Sequence, residues 1–372
     1  MKLSRLRRVM LAVALVAAGL TMVRADAGPM TAKEQANLQH VINWWLECIE
    51  GRNVEATAKY QADTYIQHNI NFPTGRAGFM KIFGDRFKAA GGPITPPPTK
   101  FANPPVVQFA KGDFVVIVWE RQGKDPADPS KTYKYNAYDL LRIENGKVAE
   151  HWDYALLNKG TPRGGAPDGI DYDKVTFNYS EQEKKNLEIA TVEFKDILQY
   201  GHTELAEKVM APTYIQHNPN ISTGRAAFVQ VFGRRAPRDI QPALNPAPII
   251  QFAKGPYVVL VWERTAKDAM GADYKYNFFD VVRVENGKVA EHWDSVFKNA
   301  PNPNQPAPAP VVPGIGPKPV NPRNSADEQK VEDIANIEFK DILQYGHVEL
   351  ADKVMAENYI QHNPNEIGRA HV

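Results

Sequence analysis

The sequence has almost no cysteine. Cys48 is the only one in 372 residues, so no internal disulfide can form and oxidation does not shape the fold. Ile42, Trp45, Leu46 and Ile49 surround it at helical spacing, which marks a packed thiol and not a nucleophile. Charge of one sign is also missing. The formal net charge is +1, with Lys and Arg scattered, and no basic stripe points to nucleic acid. Long apolar runs are absent apart from Val9 to Val23, which Gly19 and Thr21 interrupt. That run is shorter than the roughly 20 residues of a comfortable membrane span. Lys2, Arg5, Arg7 and Arg8 precede it and Ala25-Asp26-Ala27 follows, the layout of a secretory signal peptide over residues 1–27. The mature chain is expected to be exported, to the bacterial periplasm or beyond, with no stable membrane span after cleavage. No Cys follows the run, which argues against a lipoprotein anchor.

What the chain does have is repetition. Tyr65-Ile66-Gln67-His68-Asn69 recurs from Tyr214 and again from Tyr359, its histidines 149 and 145 residues apart. Glu150-His151-Trp152-Asp153 recurs once, from Glu291. A solenoid repeats every 20–50 residues or so, and this period means tandem domains of ordinary size. The first module is expected over 33–158 and the second over 180–299, joined by a Gly- and Pro-rich linker over 159–179. A linker over 300–324 follows; between Pro301 and Pro322 it holds nine prolines, a composition that favours an extended spacer. A third module starts near Ser325 and matches the second through Asn365. The final residues, 366–372, read like a translated sequencing-library adapter, from which a longer natural chain is expected.

Within a module, helices come first and strands last. Leu38, Val41, Ile42, Trp45, Leu46 and Ile49 fall at helical spacing, as do Leu187 to Leu198 in the second copy. Gly51 and Gly201 stand where such helices would end on glycine. Arg76 to Phe87 reads as a further helix. Strand-like runs follow over Val106 to Phe109, Phe114 to Glu120 and Tyr133 to Leu156, the last broken by Asn145-Gly146, a strong hairpin signal. Helices followed by an antiparallel meander give an α+β domain with helices on one side of a sheet.

After the hairpin, side chains alternate faces. His151 and Asp153 then share one face about 7 Å apart, with Trp152 and Glu150 on the other; His292 and Asp294 oppose Trp293 in the same way. An imidazole beside a carboxylate in an apolar pocket suits proton transfer near neutral pH. A structural His–Asp hydrogen bond explains the same pattern equally well. His68, His151 and Asp153 also contain the donors of a two-His-one-carboxylate metal site, though nothing in the spacing brings them together, and no metal or cofactor is expected. If Tyr65 to Asn69 is extended, His68 shares a face with Ile66 and opposes Tyr65. Trp119 and Trp262, with Tyr135 and Tyr276, add aromatic wall.

At these residues the chain resembles the SnoaL-like, polyketide cyclase-like branch of the nuclear transport factor 2-like superfamily. Tyr-Ile-Gln-His-Asn-Pro, then Gly-Arg and Phe, then Glu-Asn-Gly-Lys-Val-Ala-Glu-His-Trp-Asp, follow the family's order in both complete modules. The resemblance implies a cone, a curved antiparallel sheet packed on helices around a deep cavity, in two complete copies plus a truncated third. It implies that Asp153 and Asp294 transfer protons with His151 and His292 as partners. Tyr65, His68, Trp119 and Tyr135, with Tyr214, His217, Trp262 and Tyr276, would line or close pockets for small apolar or carbonyl-containing molecules. Family chemistries include metal-free aldol ring closure by an Asp, and other members are isomerases or non-catalytic binding modules. A binding or assembly role therefore stays open beside acid/base catalysis, and modules of this kind commonly pair, within a chain or as homo-oligomers. Ile70 departs from the pattern, where the other copies have Pro219 and Pro364.

Overall fold

A computed structural model describes residues 27–165 and 168–300, with residues 334, 337, 338, 342 and 348–355 beyond. The leader and its cleavage site, the Pro-rich spacer, most of the third copy and residues 366–372 lie outside the described residues. No helix among the described residues is long and apolar enough to cross a membrane.

The first module opens with α1 (Ala32–Trp44). Thr31 caps it: its hydroxyl accepts from Glu34 N–H at 3.2 Å, while Glu34 accepts from Thr31 N–H at 2.8 Å. This capping box fixes the start of the helix. The helix then widens to a π-helical winding over Trp45–Glu50. A short α2 (Thr57–Tyr60) leads into strand β1 (Gln61–Gln67), and α3 (Arg76–Ala90) follows. Four more strands complete the sheet: β2 (Val107–Lys111), β3 (Phe114–Lys124), β4 (Thr132–Glu144) and β5 (Lys147–Asp153). The second module repeats the order with α4 (Glu181–Thr191), π-helical Val192–Gln199, α5 (Ala206–Val209), β6 (Met210–Gln216), α6 (Arg225–Phe232), β7 (Ile250–Lys254), β8 (Tyr257–Lys267), β9 (Asp273–Glu285) and β10 (Lys288–Asp294). Ser180 and Glu183 form the same capping box. The hairpins turn on Asn145-Gly146 and Asn286-Gly287, all four at positive φ, as a tight two-residue loop between twisted strands requires.

The strand order is β1-β5-β4-β3-β2 in one sheet and β6-β10-β9-β8-β7 in the other. Each sheet is mixed, which corrects the all-antiparallel expectation: β1 runs parallel to β5 and β6 parallel to β10. The parallel edge strand returns through a helix and the meander, a connection that hairpin signals cannot reveal. The helix end also differs from the sequence reading. Gly201 takes φ 86°, but Gly51 does not turn left-handed; Arg52 does, at φ 61°. Arg52 is held there by its guanidinium, which donates to the Phe87 carbonyl at 2.6 Å.

Each sheet buries both faces. One face packs on its own helices, through Val41, Trp44, Val115, Ile117, Leu141 and Val148 in the first module and Phe194, Val258, Leu260, Val282 and Val289 in the second. The other faces pack on each other. Phe109, Val116, Leu140 and Trp152 form one apolar cluster with Phe252, Val259, Val281 and Trp293. Phe109 stacks on Tyr257 at 5.5 Å and Tyr138 on Phe279 at 5.3 Å. Two buried ion pairs cross this contact reciprocally, Lys254 to Glu34 and Lys111 to Glu183, each at 2.9 Å.

Burial alone would raise the Glu34 and Glu183 carboxyls. Backbone N–H donors and the opposing lysines overcome it and hold both below the ordinary 4.5. A depressed folded-state pKa stabilises above the unfolded value and loses that contribution as pH falls through the folded value. Lys254→Ala and Lys111→Ala should each cost about 3 kcal/mol in urea unfolding at pH 7, because each strands a buried carboxylate. The cost should shrink in acid, as pH falls below the ordinary carboxylate range and those carboxylates protonate. Lys81→Ala, on an exposed pair, should cost less than about 0.5 kcal/mol.

Candidate functional site

The helix-covered face of each sheet carries one polar cluster. In the first module, β5 presents His151 and β4 presents Asp139. His151 Nε2 lies 2.8 Å from Asp139 Oδ1, and Trp119 Nε1 donates to Asp139 Oδ2 at 2.6 Å. Tyr65 Oη sits 2.9 Å from His151 Nδ1 and Gln67 Nε2 3.1 Å from it. Asp153 faces Asp139 across the β4–β5 ladder. The second module repeats the plan: His292 Nε2 to Asp280 Oδ1 at 3.0 Å, Trp262 Nε1 to Asp280 Oδ2 at 2.7 Å, and Tyr214 Oη to His292 Nδ1 at 3.0 Å. Asn218 Nδ2 donates to Asp294 Oδ2 at 2.7 Å.

The expected His–Asp pairing needs one correction. The carboxylate that bonds His151 is Asp139, not Asp153, and the one that bonds His292 is Asp280, not Asp294. Sequence reasoning missed Asp139 and Asp280. The available signal was a single carboxylate inside an otherwise apolar strand, in Tyr138-Asp139-Leu140-Leu141 and again in Phe279-Asp280-Val281-Val282.

Asp153 and Asp294 keep a different chemistry. Oδ1 of each is dry and has no hydrogen-bond partner. Burial and the neighbouring Asp139 or Asp280 charge push each carboxyl up to about 6, against the pull of the adjacent histidine. Burial lowers His151 and His292, but the bonded carboxylates outweigh it and raise both. The result is a protonatable carboxyl beside an imidazole already oriented by another carboxylate.

Tyr65, Trp119, Tyr214 and Trp262 therefore belong to the cluster. His68 and His217 do not. Each lies on the opposite face, stacked on Trp152 at 5.0 Å or Trp293 at 4.9 Å. Each bonds a glutamate there, Glu150 or Glu291, at 2.8 Å. Glu150 also accepts from Arg142 Nε at 2.9 Å. The two-His set with His68 is thus not assembled. A compact Asp-His-Asp set exists in each module, with one donor atom per residue all within 4.8 Å, and these residues could hold a cation. Tyr135 and Tyr276 lie toward the far ends of β4 and β9. Tyr135 packs on Phe297 at 5.1 Å and Tyr276 on Tyr154 at 6.1 Å, so each touches a residue of the other module. Cys48 is buried and its thiol is pushed up to about 11, as a packed thiol should be.

Two clefts stand out among the described residues, and neither reaches these histidines. One of about 470 Å³ lies between the modules beside Glu34, Lys111, Glu183 and Lys254. The other, about 750 Å³, borders Lys33, Arg142, Asn145 and Lys174.

The model of the SnoaL-like domain matches residues 42–151 and 192–292, more than half of the chain. The chain belongs to the SnoaL-like family. Each match ends on the histidine of the cluster, His151 or His292. Similar solved structures each match about one module. A putative SnoaL-like polyketide cyclase from Jannaschia sp. CCS1 is 15% identical, with 32% of this chain and 90% of that chain covered and a TM-score of 0.24. A putative polyketide cyclase from Acidithiobacillus ferrooxidans is 20% identical, covering 33% and 89% with a TM-score of 0.24. A nuclear transport factor 2-like protein of unknown function from Mesorhizobium loti is 18% identical, covering 33% and 100% with a TM-score of 0.24. No curated protein matches the chain.

The pKa of Asp294 gives a stability test. A carboxyl with a raised folded-state pKa stabilises below its unfolded value and loses that contribution as pH rises through the folded value. From pH 3.8 to about 6 stability falls, because the unfolded chain ionises Asp294 before the folded chain does, and above about 6 the full cost stands. Asp294→Asn removes that cost and still accepts from Asn218. It should raise stability by about 1–3 kcal/mol at pH 8 and change it little near pH 4, read from urea midpoints at the two pH values.

Proposed function

We infer that each cone binds a small, largely apolar, carbonyl-containing molecule on its helix-covered face and moves a proton on it. The observation that carries this reading is the dry, unpartnered Oδ1 of Asp153 and Asp294 on carboxyls that ionise at about 6. Such a group is a competent base at neutral pH and a competent acid once loaded. Asp153 or Asp294 removes an α-proton and becomes a carboxylic acid. The enolate oxygen is steadied by Tyr65 or Tyr214 and by the charge of the neighbouring histidine. Fixed donors aimed at a developing oxyanion often supply the largest catalytic contribution. The proton then returns to carbon, or the enolate attacks a second carbonyl in an aldol closure and the Asp proton passes to the new alkoxide. The step needs no cofactor. Membership in the SnoaL-like family supports small-molecule or cyclase-type chemistry of this class. In this reading residues 1–27 are a secretory leader and the work is done outside the cytoplasm.

A second reading is assembly. The apolar contact between the two sheets favours it, since it joins two modules into one body. It uses the outer faces and leaves the His/Asp faces free, so the two roles are compatible.

Deuterium exchange tests the catalytic reading. A 1,3-dicarbonyl probe in D2O should gain deuterium at its α-carbon faster with the protein than with buffer, followed by mass spectrometry. Asp153→Asn with Asp294→Asn should abolish the enhancement and leave the circular dichroism spectrum unchanged. An enhancement that survives both substitutions, or a double variant that no longer folds, would sink the catalytic reading.

A further inference from the structure

In the second module β9 and β10 set two carboxyl groups against each other. Asp280 and Asp294 are direct partners across the ladder. Both lie on the helix-covered face, at 4% and 6% exposure. Like charges directly opposite each other destabilise a sheet, and burial enlarges the cost. His292 stands beside them, with Nε2 3.0 Å from Asp280 Oδ1. One donor atom from each of the three lies within 4.8 Å of the other two. Outer hydrogen bonds orient both carboxyls: Trp262 Nε1 donates to Asp280 Oδ2, and Asn218 Nδ2 to Asp294 Oδ2. Asp294 Oδ1 is left dry, with no hydrogen-bond partner among the described residues.

A second observation lies behind the imidazole. Glu193, from the π-helical stretch, is fully buried. Its Oε1 comes within 3.3 Å of His292 Nδ1, yet the contact is not aligned as a hydrogen bond and both of its oxygens stay unpartnered. Tyr214 Oη is the other group at Nδ1, at 3.0 Å. Either oxygen can accept a proton from Nδ1, which frees the Nε2 lone pair. A carboxyl on the far side of the ring is the usual outer partner of a metal-ligating histidine.

We propose that Asp280, His292 Nε2 and Asp294 form a divalent-cation site of the zinc class, with Glu193 as the positioning residue that orients the imidazole. Three atoms within 4.8 Å of one another share a centre at most about 2.8 Å from each. Zinc bonds of roughly 2.0–2.2 Å then ask the side chains to close by less than about 1 Å. A ring nitrogen favours Zn2+ and its transition-row neighbours, whereas Mg2+ and Ca2+ take oxygen donors and more of them. Two carboxylates and a neutral imidazole balance a divalent charge. Three protein donors also leave a position open for an oxygen of a small molecule. The first module has the same donor types in Asp139, His151 and Asp153. There Trp44 replaces Glu193, 149 residues earlier, and meets His151 edge-on at 6.4 Å. The first site is therefore the weaker one. This inference goes beyond the acid/base reading. A loaded second cone holds Asp294 as a ligand and leaves proton abstraction to Asp153. Deuterium exchange run with chelator reads proton transfer and metal titration reads the site, so the two fail separately.

The untagged full chain, stripped with chelator, is titrated at pH 7 with Zn2+ by calorimetry and with Co2+ by visible absorption. One Zn2+ should bind more tightly than any other. Co2+ should give the intense bands of a low-coordinate nitrogen–oxygen site and not the weak bands of a hydrated ion. His292→Gln and Asp294→Asn should each remove the tight site, and Asp294→Asn should fold at least as well as the parent, as argued above. Asp153→Asn should leave the tight site in place. Glu193→Gln should weaken it roughly 10–100-fold, as loss of an outer carboxyl does. A tight Zn2+ that is absent, or that survives both His292→Gln and Asp294→Asn, overturns the proposal. A parent chain that shows only hydrated Co2+ bands overturns it too, whether or not the variants fold. If Glu193→Gln binds Zn2+ as the parent does, Glu193 does not orient the site.

Discussion

One extra residue on β5 decides which face of the sheet carries the chemistry. Val148 pairs with Ile143 and Glu150 with Arg142, so Ala149 has no partner in the ladder. Val148 lies against the helices. Strict alternation from there would aim His151 and Asp153 outward and Trp152 inward, because a one-residue slip exchanges every side chain between faces. The bulge reverses the phase. Glu150 and Trp152 turn to the outer face, and His151 and Asp153 turn under the helices. Ala290 does the same in β10, between Val289 and Glu291. A sheet exposed on one side could tolerate either phase. This one buries both sides, and an imidazole with two carboxylates facing the apolar contact between modules would cost several kcal/mol in unpaired polar groups.

The same strand therefore serves two neighbours. Its outer side gives Trp152 to the inter-module core and stacks His68 on that indole. His68 is tied off by Glu150, and Glu150 by Arg142 and the Ile170 N–H. No buried side-chain atom of His68, Glu150 or Arg142 lacks a partner, as is usual for buried polar groups. The inner side breaks that rule. Asp153 and Asp294 each leave one oxygen unpaired, and Glu193 leaves two. Sites that violate local consistency in an otherwise consistent fold are where function is expected to sit. The contrast between the two faces of one strand makes the argument stronger than either face alone.

Much of this was legible in the sequence. The Asn-Gly hairpins, the helices ahead of the meander and the split of His-Trp-Asp into a pair and an opposed Trp all follow from local pattern, and local pattern survives in the fold. The split held because the bulge falls before His151, so alternation from His151 to Asp153 is undisturbed. What was not legible depends on partners. Tyr65 to Gln67 announces an extended segment, but nothing in it names β5 as its neighbour or parallel as its direction. The face shared by His68 and Ile66 was readable; that this face is the outer one was not. Asp139 went unread because its partner is reached only through the β4–β5 register. Glu193 went unread because a helical glutamate is ordinarily solvated, and only packing shows that this one is dry.

Polarity has been exchanged elsewhere between the two interiors. Cys48, Thr57 and Gln61 in the first module correspond to Ile197, Ala206 and Met210 in the second. All six are buried, and both amide atoms of Gln61 lack a partner. The first module thus carries its surplus polar atoms near the start of β1, and the second carries its surplus beside the histidine. Packing alone would not select either arrangement, since an apolar residue at Gln61 or Glu193 would remove a desolvation cost without opening a void. The doubled sheet lets this happen. The two histidine clusters lie on opposite sides of a shared apolar layer, so each meets its own helices and not the other cluster. Duplication supplied two copies of one scaffold, and the back-to-back contact left each interior free to settle its own electrostatics.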